Sequence, residues 1–450
     1  MKNYIVFDDG EIVLVNDFNK VFPMTMVKND TYRIEICGHI IEKYYKLEPN
    51  SLEWKIFINI LSLRSIKIEI ITALVLLSKT KKIRIINTDF IDNSFSKLFD
   101  YDIEIINENF KISYIDKAQF RNAVIKFFIN NFFRLFINKK IPKTSSVIRA
   151  WTEHDLHLHK EVVDHSSIFI YPFGINLRRS IHFIKRCYKE NSNVTFMGVP
   201  YSFIKLLKIF LSTKKQKDLS LLEYEVSAMK KHSKEFLGFN TIYTSDEFLP
   251  AVPALYNELI KENKHVHNVA HGMGMLNPYN IYTKFQVINE IQKNFYEQYD
   301  KKIEYSTYMK DFYTERKEKS ELQNAYVFIH QNLATYGLLY ESQLQNQILS
   351  LFNTVDTNNV FIKFHPNCLK EEKDTLLSKY NNIKEIKEFN TNRNNYRFFA
   401  TCSSAYYDFR KFGKFIFIED DLFNPLNFFT NITILHINQL KNYLINNKGI

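Results

Sequence analysis

The sequence predicts an α/β protein built on two parallel-sheet domains, and three observations carry that expectation. After Trp151, short apolar runs with strand character alternate with amphipathic helical stretches; the same rhythm returns from Tyr326; and a charged, apolar-poor stretch from Lys301 to Asn324 separates the two. Alternation of this kind is what parallel strands joined by crossover helices produce. The expected division is an N-terminal α/β region over 1–150 whose strands the pattern does not order, a parallel-sheet domain over 151–310, and a second over 322–450.

In the N-terminal region, Tyr4-Ile-Val-Phe7 and Ile12-Val-Leu-Val15 read as strands, Ile56 to Leu77 as apolar helix, and Ile83-Arg-Ile-Ile86 as a further strand. Asp8-Asp9-Gly10 reads as the hairpin turn between the first two strands, because Asp-Gly supplies the positive φ that such turns need. Residues 119–140 place Phe127, Phe128, Phe132, Phe133 and Phe136 among Lys126, Arg134, Lys139 and Lys140. This basic, aromatic pattern fits a core helix with basic flanks, and it also fits a helix lying on a membrane surface.

In the first parallel domain the expected strands are Ser167–Tyr171, Val194–Met197, Thr241–Tyr243 and Val266–Ala270, with helices at 177–189, 202–211, 221–236 and 249–261. In the second they are Tyr326–Ile329, Val360–Lys363, Phe398–Thr401 and Phe415–Ile418, with helices at 341–352 and 405–412. No repeat with a solenoid period is present.

In open parallel sheets ligands bind beyond the carboxyl ends of the strands. Three distinctive segments fall there: Val266-His-Asn-Val-Ala-His271-Gly-Met-Gly274, Ile362-Lys-Phe-His365-Pro366 and Ala400-Thr-Cys-Ser403-Ser404-Ala405. Ser403 and Ser404 open a helix, where hydroxyls and free N–H groups suit a phosphate, although plain N-capping uses the same residue. Pro366 holds His365 extended at its strand end, its imidazole placed to donate to an anion or to serve as a structural hydrogen bonder. Gly272 and Gly274 permit positive φ and close approach of a substrate, so His271 is a candidate general base; a glycine-assisted turn around a half-buried histidine is the plainer alternative. Glu153-His-Asp155-Leu-His157-Leu-His159 is metal-like in composition but lacks HExxH spacing, and reads as a polar surface strand or loop.

Composition bounds the rest. The chain has 450 residues, 45% hydrophobic content, Phe 40 and Tyr 27, enough to fill cores in two or three domains. A net charge of +11 favours a polyanionic partner: a phosphate-bearing substrate, an anionic membrane surface or nucleic acid. The basic residues are spread without an aromatic-basic nucleic-acid module, so no nucleic-acid partner is expected. Four scattered cysteines without a CxxC pair indicate neither a zinc knuckle nor a disulfide framework, and suit a reducing cytosol. The N-terminus lacks the charged-then-apolar order of a signal peptide, and no window is apolar enough to span a membrane. The expected location is cytoplasmic, or peripheral on the inner face of the cell membrane.

From Thr241 to Asp420 the motifs resemble bacterial GT-B glycosyltransferases of surface-polysaccharide synthesis. The stretch Val327-Phe-Ile-His-Gln331, with Gly337, Glu341 and Gln343 before Phe361-Ile-Lys-Phe-His365-Pro366, is most similar to the sialyltransferase and polysialyltransferase pattern. His271-Gly272 instead resembles the capsular Kdo transferases and, more distantly, the teichoic-acid glycerophosphotransferases, and Ser403-Ser404-Ala-Tyr-Tyr-Asp408-Phe409 looks like the glycerophosphotransferase pattern around its Ser pair. The resemblance implies two Rossmann-like domains facing a cleft and an inverting, metal-independent enzyme without a cofactor. It implies a CMP-activated sialic acid or Kdo-like donor and a capsule, lipooligosaccharide or O-antigen acceptor. His271 is then the catalytic base; His365, Pro366, Ser403 and Ser404 hold the donor nucleotide phosphate; Gly272, Gly274, Gln331 and Asp408 lie near the acceptor or support the site. A CDP-polyol phosphotransferase and a noncatalytic protein binding polyanions or membrane are the alternatives.

Overall fold

The computed structural model describes residues 4–7, 12–28, 30–78, 83–86, 90–98, 104–106, 113–135, 144–171, 177–190, 193–272, 274, 277–307, 325–334, 338–354, 359–365, 368–387, 396–403 and 405–446. The chain forms two compact units, one of Met1–Ile12 with Asp30–Tyr308, the other of Val13–Asn29 with Met309–Ile450.

Strands β1 (Tyr4–Phe7) and β2 (Ile12–Leu14) are followed by a short helix α1 (Met24–Lys28), then α2 (Tyr32–Ile40), α3 (Leu52–Arg64), α4 (Ile66–Ser78), β3 (Ile83–Ile86), β4 (Glu104–Ile106) and α5 (Lys117–Arg134). The strands form a sheet of order β2-β1-β3-β4, in which β1 and β3 are antiparallel. The expected hairpin residues Asp8, Asp9 and Gly10 lie outside the described residues. Ser51 starts α3 by accepting from Trp54 N at 3.2 Å, and Ser65 breaks the apolar run between α3 and α4. Both helices bury most of their surface, as helices apolar nearly all round must.

The rest of the first unit is a seven-stranded parallel sheet. Its elements in chain order are β5 (Ser146–Ala150), α6 (Glu153–Leu158), β6 (Ser167–Ile170), α7 (Leu177–Glu190), β7 (Val194–Phe196), α8 (Phe203–Leu211), α9 (Lys214–His232), β8 (Thr241–Thr244), α10 (Val252–Lys261), β9 (His265–Val269), β10 (Lys284–Val287), α11 (Glu290–Glu297) and β11 (Glu304–Thr307). The spatial order is β11-β10-β9-β8-β5-β6-β7, every pair parallel. The first strand is central, two strands extend to one side, and β8 returns to the other side: this is the Rossmann order, and its switch point lies between β5 and β8. Two expectations change here. The sheet starts at Ser146, before the boundary placed at 150, and the stretch expected as a linker contributes edge strand β11.

The second unit repeats the scheme with β12 (Tyr326–Ile329), α12 (Leu339–Thr354), β13 (Val360–Lys363), α13 (Lys370–Lys379), β14 (Lys384–Glu385), β15 (Tyr396–Ala400), α14 (Ala405–Phe409), β16 (Gly413–Glu419), β17 (Thr433–His436) and α15 (Ile437–Asn446). The order β14-β13-β12-β15-β16-β17 is again Rossmann-like, with its switch point between β12 and β15. All four residues of β12 are buried, the pattern of a strand covered on both faces. Aromatic rings fill the core: Phe398 packs on Phe409 at 5.5 Å and on Phe415 at 5.8 Å, and Phe417 lies 4.4 Å from Phe429. Gly413 is required by β15, because a Cβ there would meet Tyr396 O at 1.9 Å. Residues 13–29 belong to this unit through Thr25, whose N and Oγ1 donate to buried Glu341 Oε1 at 2.7 and 2.6 Å.

Candidate functional site

In the first unit, polar side chains converge beyond the ends of β5, β8 and β9, at the switch point and beside it. β5 ends at Ala150, and Thr152 then caps α6 in a capping box with Asp155. The expected surface strand or loop over Glu153–His159 is therefore a helix, because the Thr-x-x-Asp spacing starts one. Asp155 is fully buried. Its Oδ2 accepts from Trp151 N and Thr152 N, both at 2.7 Å, and its Oδ1 lies 3.7 Å from His271 Nδ1.

His271 follows β9 with its side chain 38% exposed, open enough for a hydroxyl to reach. Its backbone N–H donates to Glu247 Oε1 at 2.5 Å, its carbonyl bonds His154 Nε2 at 3.1 Å, and the His154 ring meets its ring edge-on at 4.8 Å. A carboxylate facing Nδ1 favours the tautomer with the proton there and leaves Nε2 as the accepting nitrogen. Gln292, whose backbone N–H is capped by Asn289, donates Nε2 to the carbonyls of Gly272 and Gly274 at 3.0 and 3.1 Å, so the loop is held by its backbone. Gly272 does not use the left-handed region, and a Cβ there would meet nothing within 4 Å. The positive φ expected of that glycine is not used, while the space above its backbone is open.

Beneath lies a buried network. Arg149, in the middle of the sheet on β5, pairs with Asp246 at the end of β8, and Tyr256 OH donates to Asp246 at 2.6 Å. Burial pushes the Asp246 and Glu247 carboxyls above their ordinary range, opposed by Arg149 at the first and by His271 at the second. His159, held by Thr244 O at 3.0 Å, is lowered by burial to about 4. His265 and His267 share a face of β9, and His267 packs on Tyr243. Sequence reasoning weighed His154 and Asp155 only as part of a metal-like run and did not single out Asp246 and Glu247. The capping-box spacing and the acidic pair directly after a strand were the available signals.

In the second unit, Gln331 and Ser403 meet across the switch point. Gln331 is clamped by Gln345 of α12, which accepts from its N at 2.8 Å and donates to its carbonyl at 2.9 Å. Its Nε2 then donates to Ser403 Oγ at 2.7 Å, and Ala405 N donates to the same oxygen at 3.2 Å. Ser403 is buried, and its bond from Ala405 N is a turn contact two residues on, at the start of α14; the N-cap position itself, 404, lies outside the described residues. With both lone pairs engaged, its O–H must donate elsewhere. His365 follows β13, the next strand, half-buried, its carbonyl accepting from Cys368 N at 2.9 Å. Between them His330 follows β12, buried against Phe364 at 5.3 Å; burial, reinforced by His365 and Lys373, lowers it to about 4. Asp408 sits one turn further along α14, half-buried. Pro366 and Ser404 lie outside the described residues. Thus His271 stands in one unit, and His365, Gln331, Ser403 and Asp408 in the other.

Among the described residues no group of three or more His, Cys, Asp or Glu side chains is arranged to hold a metal ion. No protein-family model and no curated protein matches the sequence. Among solved structures, the glycotransferase of kitacinnamycin is 8% identical, with 69% of this chain and 92% of that chain covered and a TM-score of 0.40. The E. coli heptosyltransferase WaaC with ADP-2-deoxy-2-fluoro heptose is 9% identical, with 67% and 99% covered and a TM-score of 0.29. The same enzyme with ADP is 8% identical over the same shares, also with a TM-score of 0.29.

Proposed function

We propose that this chain is a glycosyltransferase of the GT-B kind that moves a sugar from a CMP-activated donor to a growing surface glycan. The observation that supports this reading most is the recurrence of the Rossmann strand order in both units, with the polar residues expected from the sequence at or beside the switch point of each. The second unit, through His365 and the Gln331–Ser403 pair, holds the nucleotide phosphate. The first supplies the base: His271 Nε2 takes the proton of an acceptor hydroxyl while Asp155 faces the imidazolium that forms. The hydroxyl oxygen bonds to the anomeric carbon, the bond from that carbon to the phosphate oxygen breaks, and the nucleotide leaves with its electron pair.

Thermal-shift measurements against CMP, CDP, UDP and GDP test the donor class, since a bound ligand raises stability by mass action. Stabilisation by CMP above the others is expected. Incubation with CMP-sialic acid, CMP-Kdo and CDP-glycerol, read by product mass, then separates sugar transfer from polyol-phosphate transfer. Indifference to all four nucleotides would remove the proposal.

A further inference from the structure

Helix α5 is built inside out. The side chains it turns toward its own unit are polar: Lys126 pairs with Glu225 at 2.7 Å, Asn130 Oδ1 accepts from Val199 N at 2.9 Å, Asn131 Nδ2 donates to Tyr201 O at 3.1 Å, and Arg134 Nη1 donates to Gly198 O at 3.0 Å. Gly198 makes the fit possible, because a Cβ there would meet Asn130 O at 2.3 Å. The opposite face carries Ile125, Phe128, Ile129, Phe132 and Leu135, at the three-and-four spacing of one helical stripe, all exposed.

Beside it stands α8, joined to α5 by the Phe127–Phe203 ring contact at 5.8 Å. It buries Leu206 and Ile209 and turns Phe203, Ile204, Leu207, Phe210 and Leu211 outward. These ten side chains are between 40% and 79% exposed. An apolar concentration of this kind on the surface marks an interaction site.

The charge around it selects the partner. Between Asp116 and Glu153 the chain holds eight Lys or Arg residues and no carboxylate; between Glu190 and Asp218 it holds five Lys and none. Five of these cations are paired within the fold, Lys126 with Glu225, Arg134 with Glu235, Arg149 with Asp246, and Lys205 and Lys208 with Glu223; the rest leave a basic excess, and Leu135 and Leu211 at the stripe ends are each followed by Lys pairs, Lys139-Lys140 and Lys214-Lys215. Among the described residues no helix is long and apolar enough to cross a membrane. We infer that α5 and α8 form a docking face for the surface of a bilayer containing anionic phospholipid, into which the ten apolar side chains insert while Lys117 and Arg121, exposed on α5, and the lysine-rich sequence after each stripe meet the headgroups. The face is complete within the first unit and does not depend on the sugar-transfer reading.

The test uses the full chain with vesicles of phosphatidylcholine alone and of phosphatidylcholine mixed two to one with phosphatidylglycerol. Sedimentation with the mixed vesicles, weakened by salt and by omission of phosphatidylglycerol, is expected. The variant Phe128→Ser/Phe132→Ser/Ile204→Ser/Leu211→Ser should bind at least about tenfold less, with Leu369→Ser, exposed in the other unit, binding as the parent. Should the fourfold variant fail to fold, hydrogen exchange in the parent chain gives a second readout: slowing in α5 and α8 on mixed vesicles supports the proposal. Equal binding to phosphatidylcholine alone, binding that survives the four substitutions, unchanged exchange in both helices, or a vesicle-free dimer that the substitutions dissolve would overturn it.

Discussion

Asp155 serves two partners with one carboxylate: Oδ2 closes the N-terminus of α6, and Oδ1 faces Nδ1 of His271 at 3.7 Å. The base and the helix start are thereby set by a single buried side chain. His271→Ala is expected to lower turnover by about 10²–10⁴-fold, the usual share of a positioned general base, with an unchanged melting temperature. Asp155→Asn keeps an oxygen for the cap but removes the charge facing Nδ1; kcat should fall with KM little changed, and the acid limb of the pH–rate profile should move. Full activity in His271→Ala would remove this residue from the mechanism.

Nucleotide binding is expected to depend on the Gln331–Ser403 pair. Gln331→Ala removes the donor to Oγ while leaving the bond from Ala405 N to Ser403, and should weaken CMP binding by about tenfold, the worth of one or two hydrogen bonds. Calorimetric titration reads this directly, and equal affinity would dissociate the pair from the nucleotide.

Acid should destabilise both units through buried imidazoles. His159 and His330 titrate near 4 when folded and near 6.5 when unfolded, so between those values the unfolded chain binds more protons. Stability is therefore fully present above about pH 6.5 and falls as the pH drops toward about 4, by on the order of 3 kcal/mol for each group. Chemical denaturation across this range should show the fall, and His330→Gln should remove the share of it that His330 contributes; a flat parent profile contradicts the assignment.

Breaking the buried Arg149–Asp246 pair should be costly. Arg149→Met leaves the Asp246 carboxylate buried without its cation, a loss of about 3–5 kcal/mol, and Arg149→Met/Asp246→Asn should recover part of it. Denaturation midpoints of the single and double variants check the cycle.

Gly198→Ala tests the seat of α5. The new Cβ would meet the Asn130 backbone, which has no flexible end to move, so the helix must shift or detach. Faster proteolysis within 117–134 is expected, while Gly272→Ala, placed in open space, should leave the fold intact.

Much of the parallel-sheet rhythm was legible because strands covered on both faces are short, continuous apolar runs, and Tyr326–Ile329 and Ser167–Ile170 stand out for that reason. Strand β5 did not, since Arg149 interrupts its apolar run and is accommodated by Tyr171, Tyr256 and Asp246, the last 97 residues further on. The histidine alternation over 153–159 suggested a period of two, whereas the local capping box decided for helix. For α5 the pattern revealed that one face is apolar, but which face turns inward was set by Glu225, Gly198 and Tyr201 in later elements. His271, His365, Gln331 and Ser403 were found from their places at strand ends, while the placement of Asp155 and Glu247 against His271 emerged only with the fold.

The Thr25–Glu341 bond has a bearing on how the chain is made. Its partners are separated by 316 residues, so the segment around Thr25 must wait until all the intervening chain has been made before its acceptor exists. During that interval Phe18, Phe22 and Val27, buried in the finished protein, have no core to enter and are clients for a chaperone. For the same reason the C-terminal unit cannot be obtained by cutting the gene at residue 309: a recombinant piece starting there lacks a strip of its own interior, and soluble expression would require residues 13–29 to be supplied, fused or in trans.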